Sequence, residues 1–228
     1  MSLTTIPFNE AVTGRRTVYA LNKKCPVDNK RIKEIVEAAV THVPSAFNSQ
    51  SARLVVLLKD DHEKFWDFVS EALKAIVPPA VFESSNARIL GFKAAYGSVR
   101  NGSIGKPTIH IDIRLTKSQI LFYEDREVIS GLQAKMPQYA EKFPQWSEHT
   151  SAMHQFALWT AIEAEGAGAN LQHYNPLPDE KAAAHWNLPK TWDLKAQLVF
   201  GGREADWESK LLNKTFEPLD KRAIFHGL

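Results

Sequence analysis

The strongest constraint on the fold is the run from Trp146 to Glu165, the longest stretch of helical periodicity in the chain. Met153, Phe156, Ala157, Thr160, Ala161 and Ala164 recur along one side of it, and a small-residue apolar face of this kind packs closely against another helix. Gly166 and Gly168 terminate the run, since glycine reaches the left-handed conformation in which helices commonly end. A second helix begins after Asp28, an N-cap residue ahead of Ile32, Ile35, Val36, Ala39, Val40 and Val43, whose i, i+3, i+4, i+7 spacing buries one face. Pro44 closes it. Arg53-Leu54-Val55-Val56-Leu57-Leu58 then has the length and branching of a buried central strand, bounded by Lys59-Asp60-Asp61.

A third helix is expected over residues 62–76, with Phe65, Phe68, Val69, Leu73 and Ile76 inward, and a fourth opens at Pro78-Pro79 and carries Val81, Phe82, Ile89 and Leu90. Residues 169–172 and 194–200 are the remaining strand candidates, and from Gly201 onward the chain is polar and irregular. Helices and strands alternate without a strict βα repeat, which favours an α+β class over a doubly wound sheet. At 228 residues the chain is long enough for one large domain with a full core, or two small ones at most, and with no low-complexity linker dividing it a single domain is the expectation.

Composition narrows the function classes. With 44% hydrophobic and 24% charged residues the chain is of ordinary globular type, and a net charge of +2 argues against a nucleic-acid partner, which needs clustered basic charge. Cys25 is the single cysteine, so no intramolecular disulfide forms, and no four-ligand cysteine or histidine set suggests a metal. His149 and His154 are five apart, off the i, i+4 face of a helical metal pair, and read as structural or surface residues. The first residues lack a basic and apolar leader pattern, and no run of about 18 apolar residues occurs. A cytoplasmic or nuclear protein without a membrane partner is the expectation.

Two segments carry chemistry. Arg15-Arg16-Thr17 pairs adjacent guanidiniums with a hydroxyl, a combination suited to a phosphate monoester because arginine offers a rigid fork of donors. Pro44-Ser45-Ala46-Phe47-Asn48-Ser49-Gln50 combines small residues with the amides of Asn48 and Gln50, which match a planar, polar-edged, uncharged group. Together they read as two ends of one phosphorylated heterocycle. Taken singly, the first reads better as a solvated arginine pair and the second as a helix-ending loop. Residues 166–174 hold only two glycines of a dinucleotide fingerprint and follow a helix, so a Rossmann site is excluded by context.

With these residues in place, the sequence resembles the nitroreductase family of flavoproteins, and within it a fungal branch. The resemblance is carried by Arg15-Arg16-Thr17-Val18-Tyr19, by Pro44 through Gln50, by His154-Gln155-Phe156-Ala157-Leu158-Trp159, by Glu165-Gly166-Ala167-Gly168-Ala169-Asn170-Leu171-Gln172-His173-Tyr174-Asn175-Pro176, and by Gln197-Leu198-Val199-Phe200-Gly201. It implies a mostly antiparallel central sheet flanked by helices, an intertwined homodimer, and bound FMN. By that likeness Arg15, Arg16, Thr17 and Lys214 hold the flavin phosphate and ribityl chain. Pro44, Ser45, Ala46, Asn48 and Gln50 contact flavin bound mainly by the other subunit, and the backbone at Asn170, Leu171 and Gln172 lies along the ring near N5. Two departures weaken the expected charge: Phe216 stands where the family's C-terminal segment has an arginine, and Tyr19 where bacterial relatives often have a lysine.

The resemblance further implies an oxidoreductase that takes hydride from NADH or NADPH and passes it to a small-molecule electron acceptor, a nitroaromatic or a quinone, with a link to oxidative-stress responses. No protein side chain is expected to be catalytic, because the cofactor supplies the reactivity. The other function class is a flavin-binding or regulatory protein with little turnover, motivated by the two missing cations. Residues 99–119 match nothing in the family. Val99-Arg100 can be encoded by a fungal 5′ splice signal, Leu115-Thr116 by the branch-point sequence CTAAC and Gln119 by a terminal CAG, so the preferred reading is a translated, unspliced intron that interrupts a strand running from Lys93-Ala94-Ala95-Tyr96-Gly97-Ser98 into Ile120-Leu121-Phe122-Tyr123-Glu124-Asp125. The alternative is a genuine insertion, in which Ile109, Ile111, Ile113 and Leu115 alternate with polar residues as in a strand.

Overall fold

Two strands form the centre of the molecule because they are apolar on both faces. They are β3, Ser118–Asp125, and β5, Trp192–Arg203, paired antiparallel. On β3, Ile120 and Phe122 face one core cluster while Leu121 and Tyr123 face the other, the two-residue alternation of a strand buried on both sides. A β-bulge between Phe122 and Tyr123 places Ala196 opposite Phe122 and Leu194 opposite Tyr123, leaving Lys195 unpaired. The extra residue lets Leu194 and Ala196 point into opposite clusters although they are two apart.

The computed structural model describes residues 2–94 and 118–227. In chain order the other elements are α1 (Phe8–Gly14), β1 (Leu21–Asn22), α2 (Asn29–His42), β2 (Ala52–Leu58), α3 (Asp60–Ile76), α4 (Pro79–Ala94), α5 (Arg126–Lys135), α6 (Phe143–Ala164), β4 (Gly168–Gln172) and α7 (Asp179–His185). The sheet runs β1-β5-β3-β2, with β4 also paired to β5, and all pairings are antiparallel. Helices α2 and α6 cover one face through Ile32, Ile35, Ala39, Leu158, Ala161 and Ile162. Helices α3 and α4 cover the other through Phe65, Trp66, Val69, Ile89 and Phe92. This is the α+β, mostly antiparallel, helix-flanked architecture expected. Among the described residues no helix is long and apolar enough to cross a membrane.

Several local expectations change in the fold. Asp28 does cap α2, accepting from the Arg31 amide at 2.7 Å, but Val40 lies exposed and Ala38 takes the buried place. Among the described residues strand β2 sits at the end of the sheet order and is mostly half-buried, an edge there and not a centre. Ile76, Val81 and Leu90 are exposed, as are Met153 and Phe156 of α6. Gly166, with φ +89°, ends α6, whereas Gly168 belongs to β4. Lys93 and Ala94 close α4 and do not start a strand. Of the anomalous segment, residues 99–117 lie outside the described residues; Ser118 and Gln119 are the first residues of β3, opposite Leu58 and Leu57.

Candidate functional site

The Arg-Arg-Thr segment is laid along β4. After α1 ends, the Val18 amide donates to the Ala169 carbonyl at 2.8 Å, and the Asn170 side-chain amide donates to the Val18 carbonyl at 2.9 Å. A Cβ on Gly168 would stand 2.7 Å from Leu21 and 3.0 Å from Val18, so glycine is what permits this approach. The Arg16 amide donates to Glu163 Oε2 at 2.8 Å, and the Trp159 indole donates to Glu163 Oε1 at 2.8 Å. Burial pushes the Glu163 carboxyl up, and the bonds from Arg16 and Trp159 pull it back. One buried acid near the end of α6 therefore fixes where the arginine pair sits.

The side chains then form a cationic cradle. The Arg15 guanidinium lies over the Trp159 ring at 4.2 Å, a cation–π placement. Its Nη1 is buried and has no hydrogen-bond partner among the described residues. The Arg16 guanidinium donates to the Leu212 carbonyl, and Lys214 Nζ donates to the Thr13 carbonyl at 2.7 Å. The irregular C-terminal segment thus returns to the first helix and adds a third cation. Thr17 is exposed beside them.

On β4, Asn170 is fully buried and its side chain is committed to Val18 and to the Gln172 amide, which donates at 2.8 Å. Leu171 and Gln172 are half-buried. Gln172 borders a cavity of about 500 Å³ together with Tyr19, Arg88, Gly91 and Phe92. A larger cavity of about 670 Å³, walled by Arg126, Asp179, Leu188 and Trp192 among others, contains none of the sequence-selected residues.

Pro44, Ser45, Ala46, Asn48 and Gln50 are grouped elsewhere. The Asn48 amide bonds the Ser45 carbonyl at 3.0 Å and the Gln50 amide bonds Ser45 Oγ at 3.0 Å. Phe47, Asn48 and Gln50 all have positive φ, near 50°, unfavourable for a bulky residue. Phe47 packs on Tyr139, Phe143 and Trp146 while remaining 54% exposed. This is the beginning of α6; the arginine cradle is at its end. At about 1.5 Å of rise per residue, Trp146 and Trp159 are about 20 Å apart. Within one chain the two segments are not brought together.

The family model described as the nitroreductase family matches residues 12–202. The chain belongs to that family. Nitroreductase FRM2 of Saccharomyces cerevisiae is 34% identical over 196 residues, 85% of this chain and 86% of FRM2. The solved structure of nitroreductase CinD from Lactococcus lactis, in complex with nicotinic acid, is 39% identical and covers 96% of this chain and 100% of its own, with a TM-score of 0.78. A Desulfovibrio desulfuricans protein solved in complex with FMN is 16% identical, covers 99% of both chains and has a TM-score of 0.61, a likeness of fold.

In this nitroreductase-family chain the residues missed by sequence reasoning are Trp159, Glu163, Arg88 and Phe92. Trp159 and Glu163 stand at i, i+4 on a helix, a spacing that lets them meet, and an acid inside an apolar run was the available signal. Arg88 and Phe92 gave none, since only the turn of α4 toward β4 relates them to Tyr19 and Gln172. His154 is buried and bonds the Thr150 carbonyl through Nδ1 at 2.9 Å, and burial lowers its pKa. His149 is exposed. Among the described residues no group of three His, Cys, Asp or Glu is arranged to hold a metal ion.

Proposed function

We propose that this nitroreductase-family protein is an FMN-dependent oxidoreductase that carries reducing equivalents from NADH or NADPH to nitroaromatic or quinone-like acceptors. The observation that carries the reading is the buried, unpartnered Nη1 of Arg15 inside a cradle of three cations. A buried donor without a partner costs about 1–3 kcal/mol, and a phosphate oxygen is the acceptor that two guanidiniums and an ammonium select. Arg15, Arg16, Thr17 and Lys214 hold the phosphate end. Glu163 holds the loop that presents them, and the backbone at Leu171 and Gln172 faces the ring. FMN, when bound, supplies the hydride chemistry. The chain's own part is to position it, to exclude water with Tyr19 and Phe92, and to offer backbone donors where negative charge develops.

The site is completed in this proposal by a second copy. Pro44, Ser45, Ala46, Asn48 and Gln50 sit too far along α6 to serve the cradle of their own chain, and Phe47, Val40, Met153 and Phe156 leave apolar surface exposed. A homodimer covers that surface and delivers the loop to the partner's flavin. The reading is tested by purifying the chain in FMN-replete conditions and following NADH and NADPH oxidation with a nitroaromatic and with a quinone. A dimer with stoichiometric flavin and an acceptor-dependent rate supports it; a colourless protein under those conditions removes it.

Residues 99–119 retain the intron reading as a proposal. Among the described residues neither Gln119 Nε2 nor Oε1 has a hydrogen-bond partner although the side chain is fully buried, and Ser118 Oγ is likewise unpartnered there. Gln119 faces Leu57 and Val199 on the apolar side of the sheet, a poor place for a carboxamide. Joining Ser98 to Ile120 removes it. Sequencing of transcripts across this junction decides the matter: intervening bases in every message exclude an intron.

A further inference from the structure

Arg88, Gly91 and Phe92 lie on one face of α4, at i, i+3 and i+4, and this face walls the 500 Å³ cavity beside Gln172. Two of the other described lining residues, Tyr19 and Phe92, are aromatic. Phe92 is buried and stands 6.3 Å from the Tyr19 ring, 6.0 Å from Tyr174 and 4.9 Å from Trp66. A Cβ on Gly91 would meet nothing within 4 Å, so the cavity is open along that turn. Among the described residues Arg88 is the charged member of the lining, and no described carboxylate shares it. It has no hydrogen bond or ion pair among the described residues. An arginine left unpaired over an aromatic-walled space is matched by a planar ring that carries an anionic oxygen pair, because the guanidinium fork and the carboxylate geometry coincide.

We propose that Arg88 is a specificity-determining residue that makes this cavity select aromatic carboxylates, so that the preferred electron acceptors are nitroaromatic acids. The proposal rests on the oxidoreductase reading above for its acceptor chemistry, and on the cavity alone for its anion binding. Ring faces pack on Phe92 and Tyr19, the carboxylate pairs with Arg88, and the reducible group is directed toward Gln172 on β4. Neutral nitroaromatics enter the same space without the ion pair.

The test uses the isosteric probes 4-nitrobenzoate and 4-nitrobenzamide with the FMN-loaded protein at low ionic strength. Wild type is expected to favour the anion in kcat/KM by about tenfold, equivalent to about 1.4 kcal/mol. Arg88→Gln should bring the ratio near unity without changing flavin content, Arg88→Lys should restore most of it, and added salt should shrink it, since Arg88 is exposed. Gly91→Phe, which fills the cavity, should lower both rates together. A parallel titration with benzoate and benzamide, read by tryptophan fluorescence, requires neither flavin nor turnover and should show the same dependence on Arg88. No anion preference in wild type, an unchanged ratio in Arg88→Gln, or rates untouched by Gly91→Phe would overturn the assignment. Absence of flavin or of any acceptor-dependent rate defeats the oxidoreductase reading instead, and leaves the benzoate titration to decide Arg88 separately.

Discussion

The two ends of α6 are built on opposite principles. At its end, Glu163 accepts from the Trp159 indole one turn earlier and, across the chain, from the Arg16 amide, and through Val18 the same loop is tied to β4. At its beginning, Phe47 rests on Tyr139, Phe143 and Trp146 with half its surface open and a strained φ beneath it. Polar networks around a buried acid specify geometry within one chain. An exposed aromatic cluster specifies a partner, because its stabilisation is incomplete until water is removed. The difference teaches that one helix can hold one end fixed within the chain and leave the other open, which is the division the proposed homodimer uses.

The largest test of the cradle is Arg15→Ala with Arg16→Ala. Each charge-assisted phosphate bond is worth about 1.5–3 kcal/mol, so FMN affinity should fall by a hundredfold or more while the dimer remains folded, as read by flavin fluorescence and sedimentation. Unchanged flavin content removes both arginines from the site. Glu163→Leu attacks the same end from beneath, leaving the Arg16 amide and the Trp159 indole without their acceptor. The expected loss is about 2–4 kcal/mol of stability by chemical denaturation, with FMN binding weakened in parallel; weakened stability with unaltered FMN affinity would show that Glu163 does not position the arginines.

A smaller effect separates the sheet beneath the Phe47 end from the cradle. Burial raises the Glu124 carboxyl to about 7, against the bond from Ser51. An acid so raised binds its proton more tightly folded than unfolded. Its stabilisation is therefore full below the ordinary carboxylate range near 4.5 and is lost as pH rises through about 7. Asp179, raised to about 6 by burial, acts in the same direction. Glu124→Gln should match wild type near pH 4 and exceed it at pH 8 by up to about 3 kcal/mol, and equal melting curves at pH 8 would contradict this. The smallest change is Phe47→Ala, expected to weaken the dimer about tenfold, near 1.4 kcal/mol, with little change in flavin bound per folded chain at high protein concentration. A dimer constant that does not move excludes the aromatic cluster from the interface.

Much of the local structure was legible. Asp28, the α2 stripe and Pro44 mark a helix whose cap bond is observed, and Gly166 marks the end of α6 through its positive φ. The arginine pair stood out by its chemistry, and Lys214 and residues 170–172 by family likeness alone; the fold sets the arginine segment beside β4 and brings Lys214 back to the end of α1. Burial was less legible. Val40, Met153, Phe156 and Ile76 carry the apolar periodicity of a core yet are exposed, because periodicity marks an apolar face without saying whether its partner is in the same chain. Strand β2 looked central because it is continuously apolar, but only pairing order tells an edge from a centre.

Residue types alone marked α2, α3, α4 and α6, the cap of α2, the stop of α6 and an adjacent pair of arginines, since these depend on backbone preference and on side-chain chemistry within a few positions. Only the tertiary structure decided that Glu163 holds Arg16, that Arg15 keeps a buried donor without a partner among the described residues, and that Arg88 lines one cavity with Tyr19 and Gln172. Those relations join residues tens to hundreds of positions apart, and the packing of helices on both faces of one sheet is what brings them within reach.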